Sequence, residues 1–343
     1  MDDPNDQRTQ LYRDIAPLGL RPLWTVLDEL VPSTPPPTMQ PASWRYSEVR
    51  AYLMRAGNVI SAEEAVRRVL ILENPAAQGS ASITSTLYAG LQLLLPGEVA
   101  PAHRHSQSAL RFVVEGGEGA FTTVRGERLN MHQGDLILTP SFEWHDHGHE
   151  GRDPVVWLDG LDIPLIRALN VGFREDAPAR QQERTVADGT EQARWGSGLR
   201  PFAPNDQHAR VERFSYPFSQ WRQALEQLAR GAVTTPDDGF CLEFINPVDA
   251  GPVLPTISAF CHLLPANFET RLQRRTDAGV YVVVEGSGRV TVFGRVMEVE
   301  PQDIFVIPSW AAFTIHANAT LVLFSYSDRA VQQQLGVWRR ELC

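Results

Sequence analysis

Three histidines in this 343-residue chain have the spacing of a metal site. His103 and His105 are one residue apart, and His145 follows forty residues later. Alternate residues of a β-strand share a face, so the first two imidazoles point the same way if their segment is a strand. Neutral imidazole is the commonest metal ligand at neutral pH. Three imidazoles leave about three of the six octahedral positions open, which predicts a reactive site and not a closed structural one.

Further polar residues share the predicted ligand face. Arg111 has the strand parity of the first two histidines, and His147 has that of His145. A guanidinium and several imidazoles are costly to bury without partners, so they predict the lining of a polar pocket inside a barrel. Three roles stay open for His147, namely a fourth ligand, a hydrogen-bond donor in the pocket, or none, and we favour the donor. Asp146 is expected to be solvated.

The surrounding segments must hold these residues, and they have the pattern of short antiparallel strands. From residue 83 to about 161, short apolar runs are separated by glycine and proline, which is typical of a β-barrel or sandwich. The first 80 residues are predicted to be mostly helical and irregular. They include a helix over 47–56, a capping box at 61–64 and a strand over 67–73.

The same pattern returns about 170 residues later. GDLILTPS at 134–141 is echoed by QDIFVIPS at 302–309, and Leu-Pro and Glu-Gly landmarks recur in the same order. Such a repeat predicts two homologous β-domains. The positions that answer the first two histidines fall near 272–275, and Phe313 answers His145, so no metal is expected in the second copy. The predicted division is an N-terminal segment (1–80), a first β-domain with the metal site (81–173), a linker and helix (174–235), a second β-domain without metal ligands (236–328) and a C-terminal helix (329–343).

Composition excludes several functions. The net charge of −10 argues against a nucleic-acid partner, since phosphate binding needs a concentrated basic surface. No apolar run approaches the roughly 20 residues of a membrane helix, and the acidic N-terminus lacks the apolar core of a signal peptide. Three cysteines without a CxxC pair suit a reducing compartment. We therefore expect a cytoplasmic protein with neither a nucleic-acid nor a membrane partner.

Two patterns in the first β-domain resemble the two cupin motifs, namely Gly97-x5-His103-x-His105-x3-Ala109-x6-Gly116 and Gly134-x5-Pro140-x4-His145. The first motif normally has a glutamate where Ala109 stands. This three-histidine variant, with LYAGLQLLLPGEVAPAHRHSQSALRFVVEG and PSFEWHDHG, resembles the gentisate 1,2-dioxygenase family, which includes relatives acting on salicylate and 1-hydroxy-2-naphthoate. The resemblance runs from about Trp24 to Tyr326.

The resemblance implies a mainly β bicupin, with two double-stranded β-helix (jelly-roll) barrels, a helical N-terminal region and a C-terminal helix. It implies an extradiol-type dioxygenase with one Fe(II) per subunit and O2 as co-substrate. That enzyme would open gentisate between C1 and C2 to give maleylpyruvate, as part of aromatic catabolism. Spacing alone does not select iron, because the general affinity order favours copper or zinc. A homotetramer is also implied, with the second barrel in structural support and subunit contact and a vestigial ligand pocket as the alternative.

The resemblance also implies roles for arginines. Arg111 is predicted to clamp the substrate carboxylate through its planar fork, and the alternative is an ion pair with Glu115. Arg67 resembles a substrate-contacting arginine of the family. Its neighbour Arg68 has the opposite parity, so a one-residue slip in strand register would exchange the two.

The remaining site residues are assigned in the same way. His147 is predicted to donate to a substrate oxygen or to orient it, so it counts with Arg111 as catalytic. Asp159 is predicted to hydrogen-bond an imidazole and fix its tautomer, and the alternative is a turn aspartate. Tyr88 is predicted to line the ring pocket, and the alternative is simple packing.

Three other functions stay open at this point. Within the family, the substrate could be salicylate or 1-hydroxy-2-naphthoate instead of gentisate. A non-enzymatic bicupin that binds or stores a small molecule is the alternative from another class, and the three histidines argue against it. A metal-dependent isomerase or hydrolase is the third, since cupins host many chemistries.

Overall fold

The molecule is described here by a computed structural model, which covers residues 4–116, 118–198 and 211–343. Residues up to Pro36 form one compact unit, and Pro37–Cys343 forms another. The first unit contains the helices α1 (Pro4–Ile15) and α2 (Leu27–Leu30) with two short 3-10 turns between them. Within it, the Trp24 indole donates a hydrogen bond to the Tyr12 hydroxyl at 2.8 Å.

The second unit carries the remaining helices, which are α3 (Tyr46–Val59), α4 (Ala62–Ala65), α5 (Ile163–Ala168), α6 (Thr190–Trp195), α7 (Phe218–Gly231) and α8 (Arg329–Gln334). The hydroxyl of Ser61 accepts the backbone N–H of Glu64 at 3.1 Å, so the predicted capping box supplies the N-cap of α4. The helix predicted over 47–56 is confirmed as α3. Among the described residues, no helix is both long and apolar enough to span a bilayer.

The first barrel is built from two antiparallel sheets. Its strands are β2 (Arg68–Ile71), β3 (Tyr88–Leu94), β4 (Val99–His105), β5 (Ala109–Glu115), β6 (Ala120–Val124), β7 (Glu127–Asn130), β8 (Leu136–Thr139), β9 (His145–His149), β10 (Val155–Leu161), β11 (Arg174–Asp176) and β12 (Ser215–Tyr216). One sheet has the order β12-β8-β5-β10-β3-β2, and the other has the order β11-β4-β9-β6-β7.

The second barrel repeats this architecture. Its strands are β1 (Ala42–Trp44), β13 (Phe240–Phe244), β14 (Ser258–Leu264), β15 (Gln273–Arg275), β16 (Gly279–Glu285), β17 (Gly288–Val292), β18 (Arg295–Val299), β19 (Ile304–Ile307), β20 (Phe313–Ala317), β21 (Leu321–Ser327) and β22 (Arg340–Leu342). The sheet orders are β1-β19-β16-β21-β14-β13 and β18-β17-β20-β15-β22. The predicted mainly β bicupin architecture is confirmed.

The two barrels pack through their six-stranded sheets. The Phe112 and Phe324 rings stack there with centroids 4.1 Å apart, and both lie in the main hydrophobic cluster. The Tyr326 hydroxyl donates to the carbonyl of Tyr88 at 2.9 Å. Gly160 permits this close approach, because a Cβ at that position would lie 2.7 Å from the Tyr326 ring.

The segments flanking the barrels differ from the sequence predictions in two respects. The predicted C-terminal helix over 329–343 is wrong beyond α8, because Gly336 turns the chain at φ +71° and β22 then pairs with β15. The N-terminal segment also supplies one strand to each barrel, β2 to the first and β1 to the second. The segment 174–235 includes β11, β12, α6 and α7, while its residues 199–210 lie outside the described residues.

Candidate active site

The three predicted histidines converge in the first barrel. His103 on β4 lies directly across from His145 on β9 in the strand register, and His105 shares the face of His103. One ring nitrogen from each lies within 4.8 Å of the others, and these three form the one such cluster within the described residues. The ring centroids are 4.1 to 5.2 Å apart.

Backbone carbonyls orient two of these rings. Nδ1 of His105 lies 2.9 Å from the carbonyl of Gln107, and Nδ1 of His145 lies 2.9 Å from that of Glu143. A carbonyl only accepts, so both Nδ1 atoms donate and each Nε2 keeps a free lone pair. Nε2 of His145 is buried and has no hydrogen-bond partner. An orphaned buried nitrogen among three imidazoles fits a metal ligand.

His103 has a different neighbour. Its Nδ1 lies 2.6 Å from Nη2 of Arg67, which also donates to the carbonyl of Pro101 at 3.0 Å. A guanidinium only donates, so Nδ1 of His103 accepts in this contact. If His103 held a metal through Nε2, its ring proton would be on Nδ1, and the present contact, in which Nδ1 accepts from Arg67, would not form.

The environment keeps all three imidazoles neutral. Burial, with the nearby Arg67 guanidinium second, lowers the pKa of His103 to about 2. Burial and the Arg111 guanidinium lower the pKa of His105 to about 4, and the same two causes put the pKa of His145 well below its ordinary range. Neutral imidazoles at pH 7 are the form that coordinates metals.

A cavity of about 530 Å³ adjoins the histidines. This volume lies within the usual range for small-molecule sites. The lining combines cationic, aromatic and apolar side chains, and it includes Arg67, Val69, Tyr88, Gln92, His103, His105, Arg111, Asp159, Leu161, Ile163, Phe173 and Arg174. Every predicted substrate-contacting residue except His147 is therefore in the lining.

Arg111 is buried and faces Asp159, not Glu115. Its Nε lies 3.3 Å from Oδ1 of Asp159, and its Nη1 donates to the Thr139 hydroxyl. The alternative pairing with Glu115 is wrong, because that carboxylate accepts two hydrogen bonds from Arg50, at 2.6 and 2.7 Å. The Arg111 guanidinium thus lines the pocket, and the carboxylate of Asp159 already offsets part of its charge.

Asp159 has partners other than the predicted imidazole. Its Oδ1 accepts from the Trp157 indole at 3.0 Å and faces Arg111. Burial raises the pKa of Asp159 to about 6, against the lowering effect of the Arg111 guanidinium. The predicted hydrogen bond to an imidazole is therefore replaced by one to an indole.

Arg67 and Arg68 are on opposite sides of their segment. Arg68 is buried in a two-pronged ion pair with Glu98, at 3.0 and 2.5 Å, and does not line the cavity. Arg67 lines the cavity and has no ion-pair partner among the described carboxylates. Burial, together with the cations Arg111 and Arg174, lowers the pKa of Arg67 to about 10. A guanidinium in this state favours an anionic ligand.

His147 is buried one step along β9, outside the three-histidine cluster. Its Nδ1 lies 2.8 Å from the Thr122 hydroxyl, and its Nε2 has no partner. Asp146 is also buried, and it accepts the backbone N–H of Gln182 at 2.9 Å. The expectation that Asp146 is solvated is wrong, because the segment after β11 covers it.

Sequence reasoning missed several residues of the cavity, among them Gln92, Phe173 and Arg174. Gln92 has the parity of Tyr88 on β3, so alternation along that strand could have revealed it. Phe173 and Arg174 lie where the sequence suggested the start of a linker. They reach the cavity because β11 pairs with β4 and sets Arg174 opposite His105. No local sequence signal marks that pairing.

The fold and the site together define a bicupin whose first barrel has a three-histidine cluster that could hold a metal. The cupin domain model matches residues 90–161. The chain is 44% identical over 333 residues to gentisate 1,2-dioxygenase 1 of Aquipseudomonas alcaligenes, covering 97% of this chain and 96% of the relative. A gentisate 1,2-dioxygenase of Streptomyces sp is 36% identical, with 96% and 94% covered.

Solved structures give the same result. Salicylate 1,2-dioxygenase from Pseudoaminobacter salicylatoxidans, in a crystal structure of its adducts with gentisate, superposes with a TM-score of 0.92 at 33% identity. The match covers 100% of this chain and 95% of that one. The chain belongs to the gentisate 1,2-dioxygenase family.

Proposed function

We propose that this protein opens the ring of gentisate between C1 and C2 with O2, giving maleylpyruvate. The observation that carries the proposal is the convergence of three neutral imidazoles beside a pocket lined by Arg67, a guanidinium with no ion-pair partner among the described residues. Two relatives of nearly full length are gentisate dioxygenases, and the salicylate enzyme of the same fold has been solved with gentisate.

His103, His105 and His145 would hold the metal, which we propose to be Fe(II), one per subunit. When bound, the ion supplies the redox chemistry that joins an electron-rich ring to O2. Three uncharged ligands leave its +2 charge available to an anionic substrate. Ala109 is buried at the position where the cupin motif has a glutamate. No carboxylate at this position would therefore offset the positive charge of the ion.

Two arginines position the substrate. We propose that Arg67 binds the carboxylate, because it lacks an acidic partner and lies beside His103. Arg111 reaches the same cavity from β5 and contributes the second guanidinium, with Asp159 holding it in place. Planar guanidinium forks match a carboxylate in two hydrogen bonds each, which fixes both position and orientation.

His147, Tyr88 and Asp159 complete the proposed site. The Thr122 hydroxyl lies within hydrogen-bond distance of both Nδ1 of His147 and the sulfur of Met131. If this hydroxyl donates to Nδ1, the ring proton of His147 is on Nε2, which we propose donates to a substrate oxygen. Tyr88 lines the ring pocket, and its phenol remains protonated because burial raises its pKa. Asp159 acts on the substrate only through Arg111.

Oxygen uptake tests the proposal. Protein loaded with Fe(II) under anaerobic conditions would be given O2 and gentisate, salicylate or 1-hydroxy-2-naphthoate in separate runs. We expect the fastest uptake with gentisate, and a near-ultraviolet absorbance rise from maleylpyruvate. Faster uptake with another acid would shift the substrate to salicylate or the naphthoate. Absence of uptake with all three would favour a binding protein.

We further propose a homotetramer in the cytoplasm that acts in aromatic catabolism, without nucleic-acid or membrane partners. At an overall charge of −10, an acidic substrate depends on local arginines for attraction. The division at 80, 173, 235 and 328 remains a proposal about domains. The second barrel is proposed to serve in support and subunit contact.

A further inference from the structure

We propose that Arg174, at the mouth of the cavity, captures the anionic substrate from solution and passes it inward to Arg67. This inference rests on the proposed function in one respect only, that the substrate is an aromatic carboxylate. It assigns a role to a residue outside the barrel strands that carry the ligands.

The position of Arg174 places it between solvent and the metal centre. On β11 it lies opposite His105 in the register, and its side chain lines the cavity. Its side chain is 53% exposed, whereas Arg111 is buried and Arg67 is half-buried. The three guanidinium groups therefore lie at successive depths along one cavity.

The ion pair of Arg174 is one that a ligand can displace. Its Nη2 lies 2.7 Å from Oδ1 of Asp176, whose side chain is 67% exposed. Exposed ion pairs contribute little, because water and salt compete for both charges. An arriving carboxylate can replace that of Asp176 at small cost, and the guanidinium groups of half-buried Arg67 and buried Arg111 then attract it further.

The charge balance of the chain gives such a residue a role. At a net charge of −10, the overall field repels an anion. Clefts lined by one sign of charge concentrate ligands of the other sign and raise association rates, and salt suppresses the effect. As the substrate approaches, a cation at the mouth of the cavity is the first group whose attraction for it can exceed the repulsion by the net negative charge.

The second barrel provides a comparison within the same chain. Arg340 on β22 lies opposite Arg275 in the register, as Arg174 lies opposite His105. Nη2 of Arg340 faces two carboxylates, at 2.9 Å from Asp238 and 3.4 Å from Asp237. The described residues of the second barrel include no metal cluster, and the arginine at the equivalent position, Arg340, pairs there with two carboxylates of a neighbouring loop. In the first barrel its acid is a solvent-exposed residue of its own strand.

Association kinetics test the inference. Stopped-flow fluorescence would follow gentisate binding to Fe(II)-loaded protein without O2, so that turnover plays no part. We expect Arg174→Gln to slow association about five- to tenfold at low ionic strength, with the difference from wild type largely lost near 0.5 M salt. The matched control is Arg184→Gln, which removes an exposed arginine paired with Asp188 outside the cavity, and it should leave association unchanged.

Equal association rates for the two variants at every ionic strength would overturn the inference. So would a loss confined to the dissociation rate, because Arg174 would then hold the bound ligand and not capture it. Failure of the proposed function looks different, since wild type would then bind gentisate without O2 uptake or would not bind it.

Discussion

The two barrels share a backbone plan and differ in what lines them. Gln273 on β15 lies opposite Phe313 on β20, as His103 lies opposite His145 in the first barrel. By the same register, Arg275 takes the place of His105. The metal centre is therefore a property of three side chains, and the fold that presents them can exist without it.

The second barrel fills the equivalent space with its own side chains. The Arg275 guanidinium donates to the Tyr281 hydroxyl at 2.6 Å and lies 5.3 Å from the centre of the Phe313 ring. Around them, the residues of this interior form a separate hydrophobic cluster. A fixed cation and aromatic packing thus occupy the place where the first barrel has three imidazoles and a cavity.

Other features are preserved in both barrels. Asp162 accepts the backbone N–H of Ser108 at 3.0 Å and the Thr256 hydroxyl of the other barrel at 2.6 Å. In the reciprocal arrangement, Asp328 accepts the N–H of Ala278 at 2.9 Å and the hydroxyl of Thr86 at 2.8 Å. Both barrels therefore have the aspartate contacts that join them, whereas the three-histidine cluster is found in the first barrel.

The largest expected effect comes from giving the first barrel a residue of the second. His145→Phe, which copies Phe313, should abolish metal retention and lower turnover by roughly a thousandfold or more, since a metal supplies several kcal/mol of stabilisation to a reaction. Metal analysis and O2 uptake measure both. His145→Gln makes the same test with a smaller change in shape.

The reciprocal variant is the control. Phe313→His puts one imidazole between Gln273 and Arg275 and should leave the metal content at one per chain. Wild-type metal content in His145→Phe would refute the ligand assignment.

The next largest effect is expected at Arg111, whose equivalent position in the second barrel is occupied by Tyr281. Arg111→Ala should raise KM and lower kcat, with a loss in kcat/KM on the order of a hundredfold, while metal content is unchanged. The variant also leaves the buried Asp159 without its cation. Arg111→Ala/Asp159→Asn removes that carboxylate charge, and recovery of activity in the double variant would show that Arg111 only neutralises Asp159.

The reciprocal aspartates predict a pH effect. Burial raises the pKa of both Asp162 and Asp328 to about 6, above the usual value near 4. Such a group stabilises the fold fully below about pH 4, and this stabilisation is lost as pH rises through 6. The stability of Asp162→Asn relative to wild type should therefore increase between pH 4 and 7, by at most about 3 kcal/mol.

Urea unfolding midpoints across this pH range measure the difference. Asp328→Asn is the matched variant, and it should change in the same direction. A relative stability that falls with pH, or does not change in either variant, would contradict the assignment.

The smallest effect is expected at the surface, where both barrels have the same ion pair. Arg104 contacts Glu175 of β11 at 2.5 Å, and Arg274 contacts Glu341 of β22 at 2.8 Å. Glu175→Gln and Glu341→Gln should each cost no more than about 1 kcal/mol of unfolding free energy, because exposed pairs are weak. A much larger loss in one variant, in thermal or urea unfolding, would show that the two edge strands are not equivalent.

Features with local spacing could be predicted from the sequence. The three histidines, the second copy without a histidine cluster among its described residues, and the parity of Arg67 and Arg111 follow from strand alternation and an internal repeat, because both patterns can be recognised in the sequence itself. The predictions failed where distant segments meet. Asp146 is buried by Gln182, and Asp159 meets an indole instead of an imidazole, which alternation cannot show.

The short edge strands show the same limit. β11 (RED) and β22 (REL) have three residues each, too few for an alternating apolar pattern to mark them. They form because the free edges of β4 and β15 offer unpaired backbone groups. The sequence around 174 and 340 contains no information about those edges, so Arg174 was missed and the C-terminal helix was predicted too long.

The path of the chain before the barrels limits how the enzyme can be taken apart. Ala42–Trp44 is hydrogen-bonded to Ile304–Val306 at the far barrel, and Arg68–Ile71 then joins the near one. If the first barrel were excised, β1 would lose its partner strand β19, and Phe112 would lose its stacking contact with Phe324 and become exposed to water. Attempts to make a minimal catalyst from this protein must therefore keep the second barrel.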